Sequence, residues 1–511
     1  MVGSQRKRFI RGLRGYARSG RFQPGPRRHP NSVSTERCGR DRVRRLMKIW
    51  GIVVLSLAVF WPTQSPADHQ PGRPGKFSVG HSSFQVVHTG TLGERRPVDV
   101  EVWYPADTLD YRDAPTTVYR SRMHGVTLDP VRWDPLSYED PSDVAREGVA
   151  IDAEGPAFPV VIFSHGSGNA PIDYVLALEH LASHGYIVAA PWHTGNHQDD
   201  NNAGFANRQA GWTAPGQPQI VQCMDGLPMP CVDGVARNVM RDRVNDIRVI
   251  LDTLPSLFGS RVDMSQVGMM GHSRGAQTAL LAAGGSTAAW GITPETRIKA
   301  ILTQALINAA EIPNFNFPGV TVPALLMAGE FDAATPPALV VQAYNSIAST
   351  EKAYVLVNNA VHRSFDSAMC DQMQAAGAVY QANPVRALLE RNVLTNLPGL
   401  LNNSNSGSTL DYCTFDKFTT PVDIRPIVQL HTGFSVTPTN VPRSGVSSDE
   451  VAALTGELAV IFFNATLDDK RHYHFKRYLD AKFMAKYDAY IDQVERVEEP
   501  KPNNGFIEND D

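Results

Sequence analysis

The stretch Gln266-Val-Gly-Met-Met-Gly-His-Ser-Arg-Gly-Ala-Gln-Thr-Ala-Leu-Leu-Ala-Ala283 decides the fold. Gln266–Met270 reads as a strand and Arg274–Ala283 as a helix, with Gly271-His272-Ser273-Arg274-Gly275 at the junction. A G-x-S-x-G pentapeptide alone is weak evidence. Between a strand and a helix it has the context that a nucleophile elbow requires. The glycines let the chain turn sharply without Cβ clashes. The Ser273 hydroxyl then projects from the carboxyl edge of a sheet, with a helix N-terminus behind it. An ordinary strand–helix turn is the competing reading.

Working outward, Pro159–Phe163 is a short apolar run that leads into Ser164-His165-Gly166-Ser167-Gly168, a buried strand entering a tight loop. Tyr174–Ser183 has helical spacing closed by Gly185, and Tyr186–Ala190 is a second buried strand, stopped by Pro191. Val239–Leu254 is an amphipathic helix, and Ile298–Thr303, Val322–Met327 and Ala353–Val357 are strands. Val98–Tyr104 alternates and ends at Pro105, so it is a strand as well. Strands alternating with helices imply an α/β fold: a mostly parallel central sheet flanked by helices. Beyond His362 the pattern turns helical, with a late helix near Asp449–Phe463. Three stretches stand apart as insertions: residues 105–157, a polar, proline-rich connection; residues 196–236, a polar candidate lid; and residues 371–450. The domain so defined spans residues 68–497, followed by a polar tail at 498–511.

A serine hydroxyl is a poor nucleophile at neutral pH and needs a base that an acid orients. After a strand–turn–helix nucleophile, the acid and then the histidine follow along the chain. Asp332 stands in the turn after one strand and His362 just beyond the next. They are the expected acid and base. Glu330 is the rival acid; His193, His197 and His272 compete less well because they precede Ser273. A developing oxyanion needs two fixed N–H donors. The backbone N–H of Arg274 and, from the early glycine-rich loop, that of Ser167 are the candidates.

Residues from about 98 to 365 resemble the α/β-hydrolases grouped with dienelactone hydrolases and platelet-activating-factor acetylhydrolases, and secreted polyester hydrolases are similar too. The resemblance is carried by Val98–Pro105, Ser164–Gly168 followed by Leu181–Tyr186, Arg243–Asp246 through Asp252, the elbow, Gly329–Asp332 with Tyr344–Ser346, and Ala459–Asp468. It implies an α/β-hydrolase fold with lid-like insertions and a serine esterase that needs no cofactor. Dienelactone hydrolases use a cysteine nucleophile where this chain has Ser273, which separates it from that particular reaction. The same triad could cleave amides, thioesters or C–C bonds, and a non-catalytic binding protein on this scaffold is the alternative of a different class.

Charge is distributed unevenly. Residues 1–48 carry 15 Lys or Arg against Glu36 and Asp41, while the rest of the chain has 33 basic and 50 acidic side chains, a net of −17. So acidic a body argues against nucleic acid as a partner and leaves a small-molecule or lipid-like ester as the expected one. Ile49–Trp61 is an uncharged apolar run of 13 residues, short of the roughly 20 that span a bilayer. With Met47-Lys48 before it and Ser65-Pro66-Ala67 after it, Met47–Ala67 reads as a signal peptide, residues 1–46 as a basic extension, and the mature protein as secreted or periplasmic without a stable membrane span. Of the five cysteines, Cys38 falls in the extension. Cys223, Cys231, Cys370 and Cys413 could form two disulfides in an oxidising compartment or remain thiols; sequence proximity favours Cys223 with Cys231 and Cys370 with Cys413. No cysteine or histidine spacing suits a zinc site.

Overall fold

The computed structural model describes residues 73–91, 93, 95–120, 139–167, 169–196, 229–285, 291–306, 317–332, 334–366, 448–467 and 491–496, with side chains except at 120, 139–141, 229–237 and 491–496. The described strands are β1 (Ser78–Thr89), β2 (Arg95–Ala106), β3 (Thr116–Arg120), β4 (Glu139–Glu147), β5 (Phe158–Ser164), β6 (Ile187–Trp192), β7 (Val262–His272), β8 (Ile298–Gln304), β9 (Ala324–Gly329), β10 (Lys352–Val357) and β11 (Ile491–Arg496). They form one sheet in the order β11-β10-β9-β8-β7-β5-β6-β2-β1-β4-β3. The run from β6 through β10 is parallel. β2 joins β6 antiparallel, as β11 joins β10.

Five helices of eight residues or more are described: α1 (Val175–Ser183), α2 (Met229–Phe258), α3 (Arg274–Ala282), α4 (Pro337–Ser346) and α5 (Ser448–Thr466). Side-chain alternation divides the core into two layers. Val161 and Phe163 of β5 pack in the layer of α1 and α5, whereas Val160 and Ile162 pack in the layer of α2, α3 and α4. Burial on both faces explains why these strands read as continuous apolar runs. The α5 side is closely packed: a Cβ on Gly268 of β7 would lie 2.5 Å from the Phe463 ring. None of the described helices is long and apolar enough to cross a membrane.

The chain leaves β5 through α1 to β6 on one side, then crosses by α2 to β7 on the other side of β5. The carboxyl ends of β5 and β7 therefore flank a topological switch point, where open α/β sheets bind their ligands. Ser273 and the Ser164–Ser167 loop are both there.

Several sequence expectations need correction. Residues 105–157 are not a plain connection, since they hold a helical turn at Thr108–Tyr111 and strands β3 and β4. β4 carries Pro141 and a majority of charged residues, a composition that outer strands tolerate and that hides their alternation. Pro191 does not stop β6, which runs on to Trp192. Pairing with β5 ends at Ala189, so Pro191 has only β2 beside it and its missing N–H breaks no bond on the β5 side. α2 and α5 begin inside the stretches taken for insertions at 196–236 and 371–450. The rest of those insertions, the leader, His197, Gly168, Cys38, Cys223, Cys370 and Cys413 lie outside the described residues, and so does the side chain of Cys231.

Candidate active site

Ser273 follows β7 directly and takes φ 54° and ψ −116°, a left-handed conformation rare for a residue with a Cβ. Such a geometry costs about 1–3 kcal/mol and survives only where its surroundings impose it. Here the Ser273 N–H is bonded to the Gln304 carbonyl of β8 at 2.9 Å, and α3 begins at the next residue. The flanking glycines are required by close approach. A Cβ on Gly275 would lie 1.7 Å from the Ser164 carbonyl oxygen, and one on Gly271 would lie 2.4 Å from the Gly275 carbonyl carbon. The elbow is thus pressed against the end of β5.

The structure brings Ser273, His362 and Asp332 together. His362 Nε2 stands 2.9 Å from Ser273 Oγ, and His362 Nδ1 stands 2.8 Å from Asp332 Oδ2. The carboxylate can only accept, so Nδ1 carries the proton and Nε2 is left to take one from the hydroxyl. The other oxygen of Asp332 receives the Thr335 N–H at 2.7 Å, which fixes the carboxylate. Glu330 points elsewhere: its carboxylate receives the Asn359 N–H at 2.8 Å and braces the turn after β10. The two expected oxyanion residues lie next to the serine, one along the chain and one on the loop after β5. Arg274 opens α3, and Ser167 follows Gly166, where a Cβ would come within 3.4 Å of the Ser273 Cβ.

His272 and His193, the rival bases, are committed to other partners. Burial first, and then the nearby His362, push the His272 imidazole well below its usual range, so it is neutral. Its Nε2–H donates to the His362 carbonyl at 2.8 Å, and its Nδ1 accepts from the Tyr174 hydroxyl at 2.7 Å. Tyr174 in turn receives the Gly166 N–H at 3.4 Å. One chain of bonds therefore ties the histidine turn to the loop after β5. A second tie is Asn169, whose amide donates to Asp173 at 3.0 Å and to Asp366 at 2.6 Å. Burial, reinforced by Asp366, raises Asp173 to about 7.

His193 belongs to a second serine–histidine–aspartate set. Its Nδ1–H meets Asp246 at 2.7 Å, and its Nε2 meets Ser164 Oγ at 2.9 Å. All three are fully buried. Burial and the Arg243 cation push His193 down to about 3. Burial alone would raise Asp246, but the two-pronged Arg96 guanidinium, at 2.7 Å on each oxygen, holds it well below the usual carboxylate range. Sequence reasoning missed Arg243 and Asp246 as members of this network. Their signal was present: Met240, Val244, Ile247, Leu251 and Leu254 form the apolar stripe of α2, and both charged residues fall on it. Among the described residues, no group of three or more His, Cys, Asp or Glu is placed to hold a metal ion.

Residues 241–379 match the PET hydrolase-like family, a segment that contains Ser273, Asp332 and His362. Residues 117–223 match the chlorophyllase family, a segment that contains β5 and its loop. No curated protein sequence matches the chain. A solved structure similar to it is a ferulic acid esterase from Streptomyces cinnamoneus, 19% identical over 83% of this chain and 97% of that one, with a TM-score of 0.46. The sheet order and the site at its switch point are those of an α/β-hydrolase fold, and the family matches indicate a hydrolase of that type.

Proposed function

We propose that the protein is a secreted serine hydrolase that cleaves carboxylic esters through an acyl-enzyme. The observation that carries this reading is the Ser273 hydroxyl, held on a strained turn 2.9 Å from the free nitrogen of a histidine that Asp332 orients. Ser273 Oγ attacks the ester carbonyl while its proton passes to His362 Nε2. Asp332 stabilises the imidazolium without taking the proton. The negative oxygen of the tetrahedral intermediate accepts from the backbone N–H groups of Arg274 and Ser167. Collapse breaks the bond to the alcohol oxygen, which leaves with the proton from His362. Water then attacks the acyl-serine by the same path, giving up one proton to His362, and releases the acid and the original hydroxyl. No step draws on a metal or organic cofactor.

The choice of an ester rests on the PET hydrolase-like match across the triad segment and on the resemblance to platelet-activating-factor acetylhydrolases. The resemblance favours a small or lipid-like ester. Export rests on the Met47–Ala67 pattern, with residues 68–497 as the working domain. A fluorophosphonate probe is expected to label Ser273, and a series of chromogenic esters graded by acyl length to be hydrolysed with a clear optimum. A purified protein that neither takes the label nor cleaves any ester of the series overturns the reading.

A further inference from the structure

We propose that Arg243 is a positioning residue that locks both halves of the oxyanion hole to one rigid group. This inference rests on the serine-hydrolase reading and deepens it. Arg243 lies on α2, away from the reacting atoms, and its side chain is fully buried. Among the described residues it has no carboxylate within ion-pair distance. Its donors go instead to neutral oxygens of α3, of β5 with its loop, and of the loop after β6. Nε donates to Thr278 Oγ1 at 3.1 Å, and the Thr278 hydroxyl donates at 2.8 Å to the carbonyl of Arg274, whose own N–H is one oxyanion donor. Nη1 donates to Asn196 Oδ1, and the Asn196 amide donates at 3.0 Å to Ser167 Oγ, on the residue that supplies the other donor. Nη2 closes the set on Ser164 Oγ at 3.0 Å and on the His165 carbonyl.

The two arms are alike: each reaches an oxyanion residue through one intervening side chain. The guanidinium is planar, so the arms keep a fixed angle to each other. A buried cation without a carboxylate partner is costly to keep, and here hydrogen bonds to four neutral oxygens offset that cost. Oxyanion donors act through their geometry, and a misplacement of about 1 Å can cost about a hundredfold in rate. A clamp of this kind acts on the transition state and leaves ground-state binding nearly untouched.

The test uses p-nitrophenyl acetate as substrate and an aryl trifluoromethyl ketone, which adds to the serine as a tetrahedral hemiketal. Arg243→Lys keeps the charge but loses the fork; it is expected to lower kcat about a hundredfold with KM changed less than about threefold. Thr278→Val keeps the shape and removes the Nε acceptor; it is expected to lower kcat about tenfold, and Thr278→Ser to recover most of that loss. The ketone should weaken in step with kcat/KM in every variant. The Thr278 pair decides the matter if Arg243→Lys does not fold. A folded Arg243→Lys with parental kcat and ketone affinity overturns the inference, and so does a Thr278→Val that changes KM alone. Fluorophosphonate labelling of Ser273 in the parent separates the two levels. If it labels and the variants behave as the parent, only the clamp is lost. If it does not, the hydrolase reading fails and the clamp with it.

Discussion

Two serine–histidine–aspartate sets stand side by side in this molecule, with nearly the same distances. Ser273, His362 and Asp332 are joined at 2.9 and 2.8 Å; Ser164, His193 and Asp246 at 2.9 and 2.7 Å. Their surroundings differ. Ser273 is lifted out of the sheet by a positive φ, whereas Ser164 is the last residue of a central strand. His362 is 9% exposed, His193 not at all. Asp246 is neutralised by Arg96, and His193, pushed down to about 3, has too little basicity to draw a proton from serine at neutral pH. Hydrogen-bond distances alone therefore do not make a catalytic triad. Backbone projection and burial separate the set proposed to react from the set that holds shape.

The sharpest way to break that contrast is to delete each serine in turn. Ser273→Ala should lower kcat by about 10⁶ and abolish fluorophosphonate labelling. Ser164→Ala should keep the label on Ser273 and lose no more than about tenfold in kcat, because His165 still holds Arg243. Comparable losses in both would dissolve the distinction. Next in size is the acid. Asp332→Asn should lower kcat by about 10⁴ through the loss of tautomer control, while Glu330→Gln changes it little; reversed effects in kinetics on folded variants would transfer the role to Glu330.

The buried set should show its importance in stability instead. Asp246→Asn takes from Arg96 the carboxylate it grips with both prongs and leaves it Asp242 at 4.0 Å, and denaturant unfolding should report a loss of about 3 kcal/mol. The smallest effect is one of pH. His193 is neutral in the fold down to about 3, whereas an unfolded histidine titrates near its ordinary value of 6.5. The folded pKa is the lower one, so its contribution is complete above about 6.5 and is lost as pH falls toward about 3. The unfolding free energy of the parent should thus approach that of His193→Gln between pH 7 and pH 4; a constant gap would mean that the imidazole titrates normally.

Much of this was legible in the sequence because it is local. The elbow's glycines, its strand and helix, and the loop positions of Asp332 and His362 all follow from short-range pattern. The choice of Asp332 over Glu330 was open until the turn after β9 aimed one carboxylate at His362 and the other at Asn359. The outer strands β3, β4 and β11 escaped notice because polar side chains hide the alternation that marks inner strands. The Arg243 network joins residues from α2, the loops after β5 and β6, and α3. No spacing rule connects those segments; only the crossover at β5 does.

The ring of Phe463 fills the hollow left by Gly268, so β7, the strand that leads into Ser273, is covered on that face by a residue 195 positions later in the chain. During synthesis at about 5–20 residues per second, that separation amounts to roughly 10–40 s. For that interval β7 can be translated and paired while its apolar face still awaits α5, also the helix that packs against α1 through Gly456 and His180. A contact of such long range also slows folding in free solution, because the intervening loop must close before the contact stabilises anything. The nascent protein therefore completes the packing of the Ser273 strand late, and a chain that ends before Phe463 has the serine in place and its support missing.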